Sequence, residues 1–287
     1  MRVHVVVMRP HADRVLPRWA RYMNKHLGWT YDDHPNLEAD VNFLVNYADG
    51  WSRYANISGN TAAWFTHYDP SPPKATLWDR AAHGVALRVT QCRLYEQLLT
   101  PLGRSAAVGS PVELRRFSLR KRLPIYGIIG MGGYVVPDGR KGEALIGELV
   151  KRPEVKGLNF VASGRGWPVT MTPCSWAEMP SFYHRLSAYV CPSLVEGGPL
   201  GPLEALACGV PVVIPWGVGM MDELPETAGV RHYRKGDVDD MTRALMRVLD
   251  DRYDPAVLRD TVSSMDVPKW CRRIGGLFEE VFGGYAV

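Results

Sequence analysis

The sequence predicts an α/β protein built from two parallel-sheet units. Short apolar runs of strand length alternate with longer amphipathic runs of helix length along the chain. The alternation breaks at an Arg-rich connection after Ser110-Pro111 and then starts again. Gly and Pro punctuate the ends of most runs, as the closing turns of such elements require.

In the first unit, Val3–Met8 reads as a buried strand. Ala12–Leu27 reads as a helix whose apolar face carries Leu16, Ala20, Met23 and Leu27. Val41–Tyr47 and Ala62–His67 read as strands, and Asp69-Pro70-Ser71-Pro72-Pro73 as a turn. Leu77–Leu87 and Cys92–Leu99 have helical spacing, and a connection follows from Ser110 to about Lys121. In the second unit, Ile125–Met131, Leu158–Ala162, Tyr189–Pro192 and Pro211–Pro215 read as strands. Gly142–Lys151, Met179–Leu186, Val238–Leu249 and Pro268–Val281 read as helices, the last with Trp270, Ile274, Phe278 and Val281 on one stripe.

Composition narrows the class. The chain has 287 residues, 46% of them hydrophobic, which suits one large or two small globular domains. No apolar run approaches the roughly 18 residues of a membrane-spanning helix. The N-terminal strand is too short for a signal-peptide core. Five scattered cysteines (Cys92, Cys174, Cys191, Cys208, Cys271) without a Cys-x-x-Cys pair suit a reducing cytoplasm and argue against structural zinc. Charge is uneven: residues 1–112 carry a net +3, residues 113–122 a net +4, and residues 123–287 a net −3. A basic first half points to an anionic partner there.

The most informative stretch runs from Glu196 through Gly197-Gly198-Pro199-Leu200-Gly201-Pro202-Leu203 to Glu204, and on through Gly209-Val210-Pro211-Val212-Val213. It reads as a Gly/Pro loop, a short helix closed at Gly209, and a buried strand. A glycine-rich loop feeding a helix N-terminus presents backbone N–H groups and partial positive charge to a phosphate. The flanking carboxylates suit hydroxyls instead. A diphosphate between two hydroxyl-rich groups describes a nucleotide sugar.

With its two Glu residues separated by seven positions, this segment resembles the donor motif of retaining GT-B glycosyltransferases of the family-4 type. Three further matches accompany it. Val108–Phe117 is similar to the family's interdomain linker, Arg140-Lys141-Gly142 to the Lys-Gly opening its first C-domain helix, and Phe160–Gly166 to the strand and glycine turn beside the nucleotide. Trp64–Asp69 resembles the strand end where an N-domain His faces the donor sugar. The resemblance covers the C-terminal half well and the N-terminal half loosely. Two positions depart from it. Gly132-Gly133-Tyr134 stands where the family has Gly-Arg, and Arg9-Pro10-His11 stands where it has a Gly-Gly turn. Either another cation replaces the missing diphosphate-clamping Arg, with Arg165 and Arg9 as candidates, or diphosphate binding leans more heavily on backbone and Lys141.

The resemblance implies a GT-B fold of two Rossmann-like domains. They would comprise an acceptor-side domain at 1–112, a linker at 113–122, a nucleotide-sugar domain at 123–267, and a C-terminal helix at 268–287 crossing back to the first domain. It implies transfer of a hexosyl group from a nucleotide sugar, a UDP-sugar by expectation, with retained configuration and without a metal or other cofactor. Catalytic candidates are His67, Lys141 and Glu196. Donor-binding candidates are Gly132, Gly133, Lys141, Gly164, Arg165, Glu196, Gly197, Gly198, Pro199, Leu200 and Glu204, with Glu196 on the sugar and Glu204 on the ribose. Lys141 would neutralise the leaving diphosphate, or simply be a solvated helix-start lysine.

Arg14, Arg18, Arg21 and Lys25 fall on one helical stripe, with Arg9 upstream. The stripe reads as a solvated face, as phosphate contacts to nucleic acid, or as a dock for an anionic membrane. Trp19 and Tyr22 would tip it toward lipid or base stacking. The small first domain also looks like that of phage-type glycosyltransferases. That makes a hydroxymethylated pyrimidine in DNA, flipped from the duplex, the first expectation for the acceptor, in the cytoplasm of a bacterium or a phage-infected cell. The alternatives are a bacterial polysaccharide or lipid-linked glycan, and a non-catalytic nucleotide-sugar or DNA-binding module.

Overall fold

The structure is a computed structural model that describes residues 1–48, 60–68, 74–119, 126–135 and 138–285. It contains two compact units, Met1–Pro111 with Val267–Val287, and Val112–Asp266.

The first unit contains β1 (Val3–Val6), α1 (Val15–Leu27), β2 (Thr30–Asp32), β3 (Val41–Leu44), β4 (Asn60–Phe65), α2 (Lys74–Gly84), β5 (Leu87–Thr90), α3 (Arg93–Leu99) and β6 (Ser105–Ala107). Its strands form one sheet in the order β2-β1-β3-β4-β5-β6, every pairing parallel. The strand order reverses between β1 and β3, the place where open α/β sheets leave a crevice at the strand C-termini. α1 begins at Val15 rather than Ala12, because the chain first makes a turn in which the Ala12 N–H donates to the Arg9 carbonyl at 2.9 Å. Gly28, in the left-handed region at φ 72°, ends it and returns its N–H to the Asn24 carbonyl. The helix expected over Leu77–Leu87 stops at Gly84, and Leu87 opens β5 instead.

The second unit contains β7 (Ile128–Tyr134), α4 (Glu143–Leu149), β8 (Asn159–Arg165), β9 (Thr170–Met171), α5 (Met179–His184), β10 (Ala188–Val190), α6 (Leu200–Ala207), β11 (Val212–Pro215), β12 (Val230–Tyr233), α7 (Val238–Asp250) and α8 (Pro255–Asp260). Its sheet runs β12-β11-β10-β7-β8-β9, again all parallel. Read from the other edge this is the dinucleotide-fold order 3-2-1-4-5-6, with its reversal between β7 and β10. The core beneath is mainly aliphatic, with Ile129, Met131, Ile146, Leu149, Val190, Val213, Leu245 and Val248 buried together with Phe160, Trp167 and Tyr233.

The stretch expected as a linker packs into this unit as far as it is described. Val112 bridges to Asp266. The Arg259 guanidinium donates to the carbonyls of Leu114 (2.8 Å), Phe117 and Ala207. Residues 120–122 of that stretch, Ile125 of the expected first strand, and the 69–73 turn lie outside the described residues.

The last helix, α9 (Val267–Phe282), belongs to the first unit. Its Trp270 meets Trp19 of α1 and Trp64 of β4 at ring separations of 6.0 and 5.9 Å, and its Phe278 meets Phe43 at 5.0 Å and Trp29 at 4.7 Å. The Trp270 indole N–H donates to the Gly109 carbonyl at 3.0 Å. An amphipathic helix of this length is stable because it buries such a stripe, not through propensity alone.

Candidate functional site

The site gathers at the β7/β10 reversal of the second unit. β7 ends in Gly132-Gly133-Tyr134. The chain then makes a turn through Arg140 and Lys141 before Gly142 opens α4. β10 is followed by the Glu196–Pro199 loop, which feeds α6. Gly142 has φ 73°, and a methyl group there would overlap the Pro192 carbonyl oxygen. Only glycine lets these two post-strand loops approach so closely. The Leu194 N–H then donates to the Arg140 carbonyl at 2.8 Å, tying one loop to the other. Gly219, at φ 58°, plays the same part behind the second loop, where a methyl would strike the Glu196 and Gly197 carbonyls. The Met220 N–H donates to the Gly197 carbonyl at 2.9 Å.

Two cations converge on one carboxylate. The Lys141 ammonium pairs with Glu196 Oε1, and Arg140 Nη1 reaches the same oxygen at 3.0 Å. Asp138 lies 3.6 Å from Arg140. A methyl on Gly133 would sit 3.7 Å from Lys141 Nζ, so the ammonium lies over the end of β7. α6 opens without a side-chain cap and with no acid in its first turn, which leaves the positive end of its dipole for an anion. Burial pushes the Cys191 thiol up to about 11, so it stays protonated beside this loop.

Glu204 projects from α6 and is only 5% exposed. Its Oε2 accepts from the Tyr183 hydroxyl of α5 at 2.7 Å. Burial first, and then the Glu204 charge, hold the Tyr183 phenol well above its ordinary pKa. Burial does the same for Tyr189 of β10, whose hydroxyl accepts from the Gly132 N–H.

The structure thus brings Lys141, Glu196, Gly132 and Gly133 together, with Glu204 behind them on α6. Gly197 is buried, and Gly198, Pro199 and Leu200 are half-buried in the same loop. Gly164 and Arg165 end β8 beside β7, with Arg165 paired in register with Tyr134. Arg165 is exposed and has no ion pair to this cluster among the described residues, whereas Arg140 enters it. Arg140 thus joins Arg165 and Arg9 as a candidate for the place of the missing Arg. Arg140 is adjacent to Lys141 in the sequence, and that adjacency was the available signal. Nothing in the sequence singled out Tyr183 or Tyr189, which reach the site through tertiary packing alone. Trp167, with no expected role, donates its indole N–H to the Gly133 carbonyl at 2.8 Å and braces the end of β7.

The remaining candidates belong to the first unit. His67 lies two residues past the end of β4, half-buried, with Nδ1 3.3 Å from Thr66 Oγ1. Arg9 follows β1 and is exposed. Among the described residues it is the one non-glycine with positive φ, at 53°. The basic stripe is exposed only in part. Arg14 and Lys25 are exposed, but the Arg18 side chain is 11% exposed and pairs with Asp13 at 3.2 Å. Arg21 donates to the Pro10 and Ala12 carbonyls at 3.1 and 3.2 Å, closing the turn before α1. Trp19 is buried in the aromatic core and presents nothing to lipid or bases. No described helix is long and apolar enough to cross a membrane.

Comparison with known proteins agrees with this geometry. Residues 169–262 match the family described as Glycosyl transferases group 1. No curated protein sequence matches the chain. Among solved structures, a sucrose-phosphate synthase from Thermosynechococcus elongatus superposes with a TM-score of 0.78 at 15% identity, covering 99% of this chain and all of that one. Anabaena HepE in complex with UDP gives 0.75 at 10% identity over 98% of this chain and all of its own. The lipopolysaccharide outer core galactosyltransferase WaaB gives 0.70 at 11% identity over 98% of this chain and all of its own. The chain therefore has the GT-B fold, and residues 169–262 of its second unit are similar to the glycosyl transferases group 1 family.

Proposed function

We propose that this protein transfers a hexosyl group from a nucleoside-diphosphate sugar, with UDP the favoured nucleotide, to an acceptor hydroxyl with retention of configuration. The observation that carries the reading is the convergence of Arg140 and Lys141 on Glu196 Oε1 at the strand-order reversal, beside the uncapped start of α6. In this reading the donor diphosphate lies on the loop amides and the α6 N-terminus. Arg140 and Lys141 neutralise the charge that grows on the diphosphate as the anomeric C–O bond breaks. Glu196, released from its cations by the arriving phosphates, accepts from a sugar hydroxyl, and Glu204 accepts from the ribose. Gly132, Gly133, Gly164 and Arg165 border the nucleotide, and His67 and Arg9 are assigned to the sugar and acceptor side by resemblance. With two cations on the leaving group, the reaction is proposed to need no divalent ion, so activity persists in EDTA.

For the acceptor, a glycan hydroxyl is the better reading. The DNA-base and membrane readings both leaned on the α1 stripe. Arg18 and Arg21 bind this chain's own groups and Trp19 lies in its core. WaaB, a galactosyltransferase of lipopolysaccharide outer core by its title, is among the similar structures.

Two measurements test the proposal. Glu204→Ala should weaken UDP binding about tenfold or more, since a buried carboxylate accepting from hydroxyls is worth on the order of 1.5–3 kcal/mol. Unchanged affinity by calorimetry removes the donor assignment. Incubation with a panel of UDP-sugars, against glycan acceptors and hydroxymethylcytosine DNA in parallel, should give a mass shift on glycan alone. Product on DNA reverses the acceptor reading.

A further inference from the structure

We infer that Tyr183 is a positioning residue that sets Glu204 to read the ribose, so that the site favours ribonucleotides over nucleotides lacking the ribose hydroxyls. The inference rests on the proposed reading of Glu204 as a ribose ligand.

Glu196 and Glu204 are held in chemically different ways. Glu196 is bound by two cations, which cancel its charge in the absence of a donor. Glu204 is bound by a phenol. The Tyr183 hydroxyl donates to Oε2 at 2.7 Å, and Tyr183 is 1% exposed. A neutral donor orients a carboxylate without neutralising it. A hydroxyl that then meets Glu204 gains a charge-assisted bond, roughly twice the strength of a neutral one. The phenol keeps its proton at any working pH, because burial and the Glu204 charge both oppose ionisation.

The donor is itself locked. The Tyr183 ring packs edge-on against Phe117 at 5.9 Å and Phe182 at 5.6 Å, and tilts against Tyr189 at 5.8 Å. Its hydroxyl can therefore not follow Glu204 if the carboxylate swings. The bond fixes the plane of the carboxylate from behind, as outer partners do for the ligands of other polar sites. A site built to hydrogen-bond a hydroxyl discriminates strongly against an analogue that lacks it.

The test compares UDP with 2′,3′-dideoxyuridine 5′-diphosphate by calorimetry in the full-length protein. Tyr183→Phe should lower UDP affinity about three- to tenfold, the worth of one orienting hydrogen bond, and leave the dideoxy analogue within twofold of wild type. Equal losses for both ligands, or no loss for either, overturn the inference. Glu204→Ala separates the two levels of the argument. If it leaves UDP binding intact, the ribose reading itself is wrong. If it abolishes discrimination while Tyr183→Phe preserves it, only the role of Tyr183 is wrong. The double variant guards against a folding defect. Glu204→Ala strands a buried phenol, so adding Tyr183→Phe should raise the melting temperature and leave the UDP-to-dideoxy ratio at the Glu204→Ala value. A further drop in that ratio means that Tyr183 acts outside Glu204, and the inference fails.

Discussion

Both units cover a six-stranded parallel sheet, but they spend their residues differently. The first fills volume with rings. Trp19, Trp64, Trp270, Phe43 and Phe278 interlock, while Tyr47, Phe65 and Trp78 form a second cluster at separations of 4.8–5.2 Å. The second packs its sheet mainly with aliphatics, keeps a smaller ring cluster around Tyr183, and uses glycine to bring two post-strand loops into contact. Large rings contribute stability through buried area. Glycines at a strand-order reversal give no packing but permit backbone to approach backbone, and a ligand to approach both. Stability should thus be the quantity most sensitive to substitution in the first unit, and site geometry in the second.

Trp270→Ala should break the comparison most forcefully if it is wrong. It removes a fully buried indole and a hydrogen bond to Gly109, for an expected loss of about 3–5 kcal/mol. In differential scanning calorimetry the loss should fall on a transition that UDP does not shift, and a single UDP-shifted transition would contradict the division.

Next comes Gly142→Ala, which needs a left-handed backbone for alanine and displaces the Pro192 carbonyl. The expected effect is about 2–3 kcal/mol of destabilisation together with loss of transfer. Its control is Gly276→Ala in α9, where a methyl meets nothing within 4 Å. That change should stabilise by up to about 1 kcal/mol. Similar outcomes for the two would mean that the glycines of the second unit are incidental.

Lys141→Ala should lower kcat by about 10²–10³ while changing donor affinity far less, because its worth appears as the leaving group gains charge. Equal losses in both constants would place the lysine in ground-state binding.

The smallest effect concerns pH. Burial tends to raise the Asp251 carboxyl. The two-pronged hydrogen bonding from Arg231 and the Gly229 N–H outweigh burial and hold it below the ordinary value. A depressed folded pKa adds stability that is fully present above the unfolded value, about pH 4, and is lost as pH falls through the folded one. Solvent screens this pair, so Asp251→Asn should cost at most about 1 kcal/mol at pH 7. In urea titrations the cost should shrink as pH falls below about 4 and vanish once the folded carboxyl is protonated. A cost independent of pH would remove the electrostatic explanation.

Much of the site was legible because it is local. Glu196 and Glu204 sit in one continuous string, and Arg140-Lys141-Gly142 is a tripeptide, so a linear reading could find both. Tyr183 and Tyr189 could not be found that way, since their contacts depend on how α5 and β10 pack under α6. For the stripe, the sequence showed only a spacing. The spacing of Arg14, Arg18, Arg21 and Lys25 places them on one side of a helix, but the preceding turn folds back and offers carbonyls to Arg21. The long apolar strands were equally visible. The strands β2, β6 and β9 were not, because they have two or three residues each and little apolar pattern, nor were β5 and β12, whose four residues include Arg88 and Arg231-His232.

The assignment of α9 to the first unit has a consequence for how the protein is made. Trp19, Phe43 and Trp64 leave the ribosome well before Trp270 and Phe278, which cover them. The second unit is contiguous from Val112 to Asp266 and can close while the chain is still growing. The order of folding during synthesis is therefore inverted relative to the order of the sequence. Until Trp270 and Phe278 emerge, the earlier part of the first unit waits with exposed indoles, the species a nascent-chain chaperone would hold.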